Sequence, residues 1–139
     1  MPLQKGKALS AKDRNYSLQG AVVLVVDDDL DVLVATRDLL TSWKCAVLTA
    51  ASVNEALSVI TDEDIDVVVA DYDLGDEHTG LDLINTLNEH SSKPCKALII
   101  SGNVSNEQMR QLREGPYPIL SKPVLPMTLR SSLHQLLKA

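Results

Sequence analysis

Residues 67–73 constrain the fold of this chain more than any other stretch of its sequence. Three valines and an alanine, with no polar residue between them, run directly into the carboxylate of Asp71. Such an uninterrupted apolar run is typical of a strand that is covered on both faces, as in a parallel sheet. Asp71 would then lie at the carboxyl end of the strand, the edge where open α/β sheets bind their ligands. On its own, Asp71 could equally open a turn, so its role depends on the other strand ends.

Short apolar runs and amphipathic segments alternate along the rest of the chain. The predicted strands are residues 21–26, 45–49, 67–70, 97–100 and 118–120. The predicted helix starts are Asp29, a capping box of Ser52 with Glu55, a second box of Ser105 with Gln108, and Pro126. The fourth helix has a thin apolar face, mainly Met109 and Leu112, so we expect it to be the least firmly packed. Five strands alternating with helices predict an α/β fold, a doubly wound parallel sheet with helices on both faces.

Length and charge limit the classes of protein to which the chain can belong. Its 139 residues fit one domain, expected at residues 20–139 behind a flexible tail at 1–19. The net charge is −6, and because the tail carries +3, the remainder carries −9. So acidic a domain argues against direct nucleic-acid binding, which needs a basic face, and no apolar run approaches the roughly 20 residues needed to span a bilayer. Cys45 and Cys95 fit no disulfide or metal pattern and no signal sequence is present, which predicts a cytoplasmic protein with reduced thiols.

Polar side chains gather at four of the predicted strand ends. Because parallel strands share one carboxyl edge, that edge collects Asp27, Asp28, Asp71, Ser101 and Lys122. Crowded carboxylates raise one another's pKa values and need a cation to stay ionised, and Mg²⁺ suits a site of few carboxylates, water and phosphate. A lysine and a hydroxyl complete a phosphoryl site in which a carboxylate can be the nucleophile. Each residue alone has an ordinary structural explanation, and their joint placement favours the site.

This combination of residues resembles the response-regulator receiver domain. The resemblance covers about residues 21–138 and rests on Leu24-Val25-Val26-Asp27-Asp28, on Asp71, on Ser101 and on Lys122-Pro123. It implies a CheY-like, flavodoxin-like sheet of strand order 2-1-3-4-5. It also implies a function, the acceptance of a phosphoryl group in two-component or phosphorelay signal transduction.

The resemblance implies which residues accept the phosphoryl group and bind the metal. Asp71 matches the phosphoacceptor. Asp28 and Asp71 would bind Mg²⁺, or Mn²⁺, directly, together with the backbone carbonyl of Asp73. Asp27 would act through a water molecule.

The resemblance also implies which residues respond to the phosphoryl group. Ser101 would bind a phosphate oxygen, Lys122 would pair with the phosphoryl charge, and Gly102 is assigned to the same switch region. The Lys-Pro peptide bond of the family is usually cis, which Pro123 permits here. Three positions before the lysine the family often has an aromatic switch residue, where this chain has Ile119. The family's usual switch pairs a Ser or Thr with an aromatic side chain, and this chain lacks the aromatic side chain at that position.

Two stretches are most similar to the receiver at the carboxyl end of hybrid sensor histidine kinases. They are residues 71–81, which include a long acidic loop, and residues 117–124. The expected phosphodonor is a histidine kinase or a histidine phosphotransfer domain, and a second receiver in a dimer is a further candidate partner. Such a domain assists its own phosphorylation and dephosphorylation without being a turnover enzyme. A stand-alone single-domain response regulator is the alternative.

Two other classes of protein stay open on the sequence. Asp71-Tyr72-Asp73 resembles the Asp-x-Asp of haloacid-dehalogenase phosphotransferases. In those enzymes the nucleophile normally follows the first strand, and no cap domain fits within this length. A receiver-like interaction module that no longer takes phosphate would be expected to lack Asp28, Asp71 or Lys122, and all three are present.

Overall fold

The computed structural model describes residues 18–60, 65–75, 77–90, 94–102 and 104–138. Strands and helices alternate through these residues in the predicted order. The strands are β1 (Val22–Val26), β2 (Ala46–Ala50), β3 (Val67–Asp71), β4 (Lys96–Ser101) and β5 (Ile119–Ser121). The helices are α1 (Leu30–Ser42), α2 (Val53–Val59), α3 (Gly80–Glu89), α4 (Asn106–Arg113) and α5 (Pro126–Lys138). Every predicted strand is therefore present, with ends that differ from the prediction by a residue.

The strands form one parallel sheet in the order β2-β1-β3-β4-β5. β3 lies at the centre, pairs with β1 on one side and with β4 on the other, and is buried along its whole length. Its apolar run suits this position because a central parallel strand is covered by helices on both faces. The predicted CheY-like, flavodoxin-like fold is confirmed.

Helices cover both faces of the sheet, and alternate strand residues point to each layer. The α1/α5 face is the layer in which the helices bury Leu33, Leu40, Leu129 and Leu133. The α2/α3 face is the layer in which the helices bury Ala56, Leu83, Ile84 and Leu87. In the central strand, Val69 belongs to the first layer and Val68 to the second. Because the chain has no Phe, both layers are mainly aliphatic.

The predicted helix starts are largely confirmed. Asp29 caps α1 by accepting hydrogen bonds from two N–H groups of its first turn, and α5 begins at Pro126. Ser52 caps α2 by accepting a hydrogen bond from the N–H of Glu55. The Glu55 carboxylate, however, accepts from the N–H of Ala51 rather than from that of Ser52, so the predicted capping box is only half formed.

Helix α4 buries little apolar surface, as its sequence predicted. Leu112 is its one buried residue and Met109 is half-buried. Its start is nevertheless well defined, since Ser105 and Gln108 form the complete capping box expected of them. The helix is therefore formed locally but lightly attached to the sheet.

Residues 1–17 of the predicted tail lie outside the described residues. Leu18, at the end of that tail, is buried on the α1/α5 face, and its carbonyl accepts a hydrogen bond from the N–H of Ala21. Cys45 and Cys95 are both free thiols. Among the described residues, none of the helices combines the length and apolar character that crossing a bilayer requires.

Candidate functional site

Asp71 is the last residue of β3 and lies at the centre of the candidate site, with its side chain only 8% exposed. Two backbone hydrogen bonds fix the segment directly after Asp71. The N–H of Tyr72 donates to the carbonyl of Ile100, and the N–H of Gly80 donates to the carbonyl of Tyr72. A Cβ atom on Gly80 would lie 2.7 Å from the carbonyl oxygen of Asp71. Only glycine permits so close an approach of two backbone segments. Gly80 is not among the residues predicted from the sequence.

Three carboxylates converge at this edge of the sheet. Oxygen atoms of Asp27, Asp28 and Asp71 lie within 4.8 Å of one another. Asp27 is buried, and its Oδ1 accepts a hydrogen bond of 2.9 Å from the N–H of Asp29. Burial raises the pKa of Asp27 and of Asp71, and the charge of Asp27 raises the pKa of Asp71 further. The folded protein therefore disfavours the ionised carboxylates unless positive charge is supplied.

Lys122, in the segment between β5 and α5, supplies part of that positive charge. Its Nζ lies 3.3 Å from Oδ2 of Asp71 and 3.7 Å from Oδ2 of Asp27. Burial lowers the pKa of Lys122, but the two carboxylates raise it by more, so the pKa lies above its usual value. One ammonium group does not balance three carboxylates, and the ionised site keeps a net negative charge.

Ser101 is the last residue of β4 and is fully buried. Its Oγ has no hydrogen-bond partner among the described residues. Because buried hydroxyl groups nearly always have a partner, this one is free to bond an oxygen atom that enters the site. The carbonyl of Ser101 accepts a hydrogen bond of 2.9 Å from the N–H of Lys122, so the two residues are held side by side.

One cavity of about 180 Å³ brings most of the predicted site residues together. Its lining includes Asp28, Asp71, Asp73, Ser101, Gly102 and Lys122. The Asp73 side chain is already engaged in its own loop, where Oδ1 accepts a hydrogen bond of 3.1 Å from the N–H of Gly75. The Asp73 carboxylate is not one of the three whose oxygen atoms lie within 4.8 Å of one another.

Three predicted residues do not line this cavity: Asp27, which lines a larger cavity next to it, Ile119 and Pro123. Ile119 is half-buried on the α2/α3 face and lines a separate cavity of about 130 Å³ with Tyr72 and Tyr117. Pro123 is joined to Lys122 by a cis peptide bond, as the resemblance implied, and lines a larger cavity on the α1/α5 face. The position of the family's aromatic residue is thus aliphatic here, with two tyrosines beside it.

A helix cap in the loop after β3 is a second feature that the sequence prediction missed. Thr79 accepts a hydrogen bond from the N–H of Asp82, and the Asp82 carboxylate accepts one from the N–H of Thr79. The spacing Thr-x-x-Asp is a known capping signature and could have revealed it. No comparable signal identifies Gly80, because a glycine at the start of a helix has no single meaning.

The three converging carboxylates suit a hard divalent cation. All of them offer oxygen, the ligand atom that Mg²⁺ and Mn²⁺ prefer. Because the pKa values of Asp27 and Asp71 are raised, an added cation would relieve a cost that the folded protein otherwise carries. The described residues therefore fit such an ion.

A buried carboxylate, an ammonium group beside it and an unpartnered hydroxyl are the groups that phosphoryl transfer to a protein requires. At the carboxyl edge of a parallel sheet of order 2-1-3-4-5, they define a receiver-type signalling domain. Residues 23–134 match the response regulator receiver domain family, and the chain belongs to that family. It is a receiver domain of two-component signalling. This membership does not support the haloacid-dehalogenase alternative.

Solved receiver structures share this fold. A response regulator receiver domain protein from Clostridium thermocellum is 26% identical with a TM-score of 0.73, covering 85% of this chain and 94% of that chain. Chemotaxis protein CheY4 of Vibrio cholerae is 27% identical with a TM-score of 0.74, covering 84% and 98%. NtrX of Brucella abortus, solved with ATP, is 25% identical with a TM-score of 0.74, and the match covers 86% of this chain but 27% of NtrX. No curated protein matches this chain.

Proposed function

We propose that this receiver domain accepts a phosphoryl group on Asp71 in a reaction that depends on a divalent cation. The observation that carries the proposal is the ammonium group of Lys122, which lies 3.3 Å from the Asp71 carboxylate. The buried hydroxyl of Ser101, without a partner, lines the same cavity. Phosphoryl acceptance uses all three groups at once: the carboxylate as nucleophile, and the other two as ligands of the phosphoryl oxygens.

The proposed metal ligands are the side chains of Asp28 and Asp71 and the backbone carbonyl of Asp73, with Asp27 acting through water. Support comes from the three carboxylates whose oxygens lie within 4.8 Å of one another. When bound, Mg²⁺ or Mn²⁺ supplies positive charge to the oxygens of the transferring group. The net negative charge that Lys122 leaves unbalanced explains why a divalent ion is needed.

The proposed phosphodonor is a phosphohistidine on a histidine kinase or a histidine phosphotransfer domain. A carboxylate oxygen of Asp71 attacks phosphorus, the bond from phosphorus to the imidazole nitrogen breaks, and its electron pair remains on that nitrogen. The product is an acyl phosphate on Asp71. Lys122 then pairs with the phosphoryl oxygens instead of the carboxylate, and Ser101 donates its hydroxyl hydrogen to one of them.

The proposed response to phosphorylation is a shift of β4, α4 and β5. Ser101 ends β4 and Lys122 follows β5, so drawing both toward a phosphoryl group moves the ends of both strands. Helix α4 lies between these strands in the chain and buries only Leu112, which lowers the cost of a second packing. Gly102 and Ile119 belong to the moving part.

Acetyl phosphate labelling tests the acceptor directly. With Mg²⁺ present, the unaltered domain is expected to gain one phosphoryl group by intact-mass measurement, and EDTA is expected to prevent it. Asp71→Asn removes the nucleophile and is expected to abolish labelling. Asp73→Asn is the matched control, since its amide oxygen can still accept the N–H of Gly75 and its backbone carbonyl is unchanged. Undiminished labelling of Asp71→Asn would disprove the assignment.

The proposed setting is a hybrid sensor histidine kinase, with this domain on the cytoplasmic side. The similarity of residues 71–81 and 117–124 to such receivers supports it. A stand-alone regulator, alone or as a receiver dimer, is supported equally, since CheY4 is nearly coextensive with the match. The DNA upstream of the Met1 codon distinguishes these settings: an open frame encoding a kinase core supports the hybrid, and an in-frame stop codon excludes it.

A further inference from the structure

A second, larger cavity adjoins the site on the α1/α5 face. Its volume is about 630 Å³, more than three times that of the cavity around Ser101 and Asp73. This volume lies within the roughly 300–1,000 Å³ that is usual for small-molecule sites. It corresponds to about twenty water molecules in the liquid. A phosphoryl group and a cation do not need so much space.

The walls of this cavity are mostly aliphatic. They include Val25, Val69 and Ile100 of the sheet, Val32 of α1, and Val124 and Leu129 before and within α5. The space exists because these side chains are short and the chain has no Phe to fill it, while Trp43 lies at the far end of α1. When an apolar molecule displaces water from such a surface, the apolar area removed from water favours binding.

Charged groups mark one end of the cavity. Asp71 and Lys122 line both this cavity and the smaller one, and Asp27 lines this one. Asp28 contributes a further carboxylate within 4.8 Å of the other two. Because a single ammonium group faces three carboxylates, this end favours a cation that can donate hydrogen bonds over a neutral or anionic group.

We propose that this cavity binds a small amphipathic amine, with its aliphatic body between α1 and α5 and its ammonium group on the carboxylates of Asp27 and Asp71. A bound amine occupies the carboxylates that would otherwise face the divalent cation, and so it opposes phosphorylation. The regulatory part of this inference rests on the proposed phosphoacceptor function, whereas the binding part does not.

Three probes of similar apolar size test the binding part: hexylamine, hexanol and hexanoate. In metal-free buffer, hexylamine is expected to shift the amide NMR signals of Val25, Val69 and Val124 in a saturable way. Its Kd is expected to be at least about tenfold below that of hexanoate, because only the amine forms a charge-assisted pair with the carboxylates. Equal or tighter binding of hexanol or hexanoate would overturn the cationic head group. Lack of saturable shifts at these amides would overturn the site.

A pair of substitutions on α1 tests whether the amine binds in the cavity. Val32→Phe fills the space, and Val34→Phe adds the same ring at a position that is 46% exposed and does not line the cavity. Hexylamine binding is expected to weaken at least about tenfold in Val32→Phe and to stay unchanged in Val34→Phe. Thermal unfolding verifies that both variants fold. If Val32→Phe does not fold, Val124→Leu is used in its place to narrow the cavity. Unchanged binding in a folded, narrowed variant would overturn the location.

Labelling by acetyl phosphate and Mg²⁺ in the presence of hexylamine tests the regulatory part. The amine is expected to slow labelling of the unaltered domain and of Val34→Phe, but not of Val32→Phe. Absence of labelling without any amine would disprove the proposed function and leave the binding result standing. An unchanged labelling rate at saturating hexylamine would overturn the regulatory part alone.

Discussion

The two faces of the sheet differ in how tightly they are packed beside Asp71. On the α2/α3 face, Leu83, Ile84 and Leu87 are at most 2% exposed, and the backbone behind Asp71 leaves no space for a side chain at Gly80. On the α1/α5 face, the helices leave about 630 Å³ unfilled beside that residue. The position of Asp71 is therefore fixed from the α3 side, and the free volume lies on the α1/α5 side.

Matched leucine truncations are expected to show the largest difference between the faces. Leu83→Ala removes a side chain enclosed on all sides and is expected to cost about 4 kcal/mol of unfolding free energy. Leu129→Ala removes one that borders the cavity, and it is expected to cost about 2 kcal/mol because fewer packing contacts are lost. Urea unfolding measures both. Equal costs would mean that the α1/α5 face is packed as densely as the other.

Matched glycine substitutions test the same contrast at the site itself. Gly80→Ala forces a Cβ to 2.7 Å from a backbone oxygen and is expected to cost about 2 kcal/mol. Gly102→Ala brings a Cβ to 3.3 Å from Cδ of Lys122, a flexible side chain that can yield, and is expected to change stability by less than about 0.5 kcal/mol. The urea midpoints of the two variants give the comparison. Similar losses at both positions would contradict the assignment of Gly80 as a close backbone contact.

Asp27→Asn is expected to give the smallest effect and the opposite sign. Burial raises the pKa of Asp27, so the folded protein binds this proton more tightly than the unfolded chain does. Ionisation above the raised pKa therefore destabilises the fold, and this cost is absent below the ordinary value of 3.8. In metal-free buffer near neutral pH, the variant is expected to have the higher urea midpoint, and the gain should vanish as the pH falls toward 3.8.

The control for Asp27→Asn is Asp38→Asn, also a carboxylate on the α1/α5 side of the chain. Its side chain is 68% exposed and pairs only with the neighbouring Arg37 in the described contacts. Such an exposed pair contributes little to stability, so the midpoint is expected to stay unchanged. A loss of stability in Asp27→Asn would show that the pairing with Lys122 outweighs burial.

The fold could be predicted from local patterns because each apolar pattern is compatible with one kind of placement in the fold. Residues 67–70 can only be satisfied between two layers, and that placed β3 at the centre. The cavity could not be predicted in this way. Val32 and Leu33 both lie on the apolar stripe of α1, but the structure buries Leu33 and leaves Val32 half-exposed beside the cavity. Periodicity states which side of a helix faces the sheet, not how far the helix stands from its neighbour.

The predicted site residues lie at one edge because parallel strands bring their ends together. The contact of 3.3 Å between Lys122 and Asp71, and the missing partner of the Ser101 hydroxyl, depend on side-chain positions that no spacing encodes. The close approach of Gly80 depends on the antiparallel bridge between Asp73 and Thr79, which folds the loop back on β3. Local sequence does not predict how closely the loop after β3 folds back against that strand.

The helix caps have a consequence for how the domain treats free anions. Four of the described helices have a capping side chain that accepts hydrogen bonds from one or two N–H groups of the first turn. The capping residues are Asp29, Ser52, Thr79 and Ser105. In many proteins such N–H groups bind phosphate directly. At the site around Asp71, an anion would meet mainly the Lys122 ammonium group and the Ser101 hydroxyl. Under the proposed function, free inorganic phosphate would therefore be a poor mimic of a phosphoryl group that a covalent bond holds at Asp71.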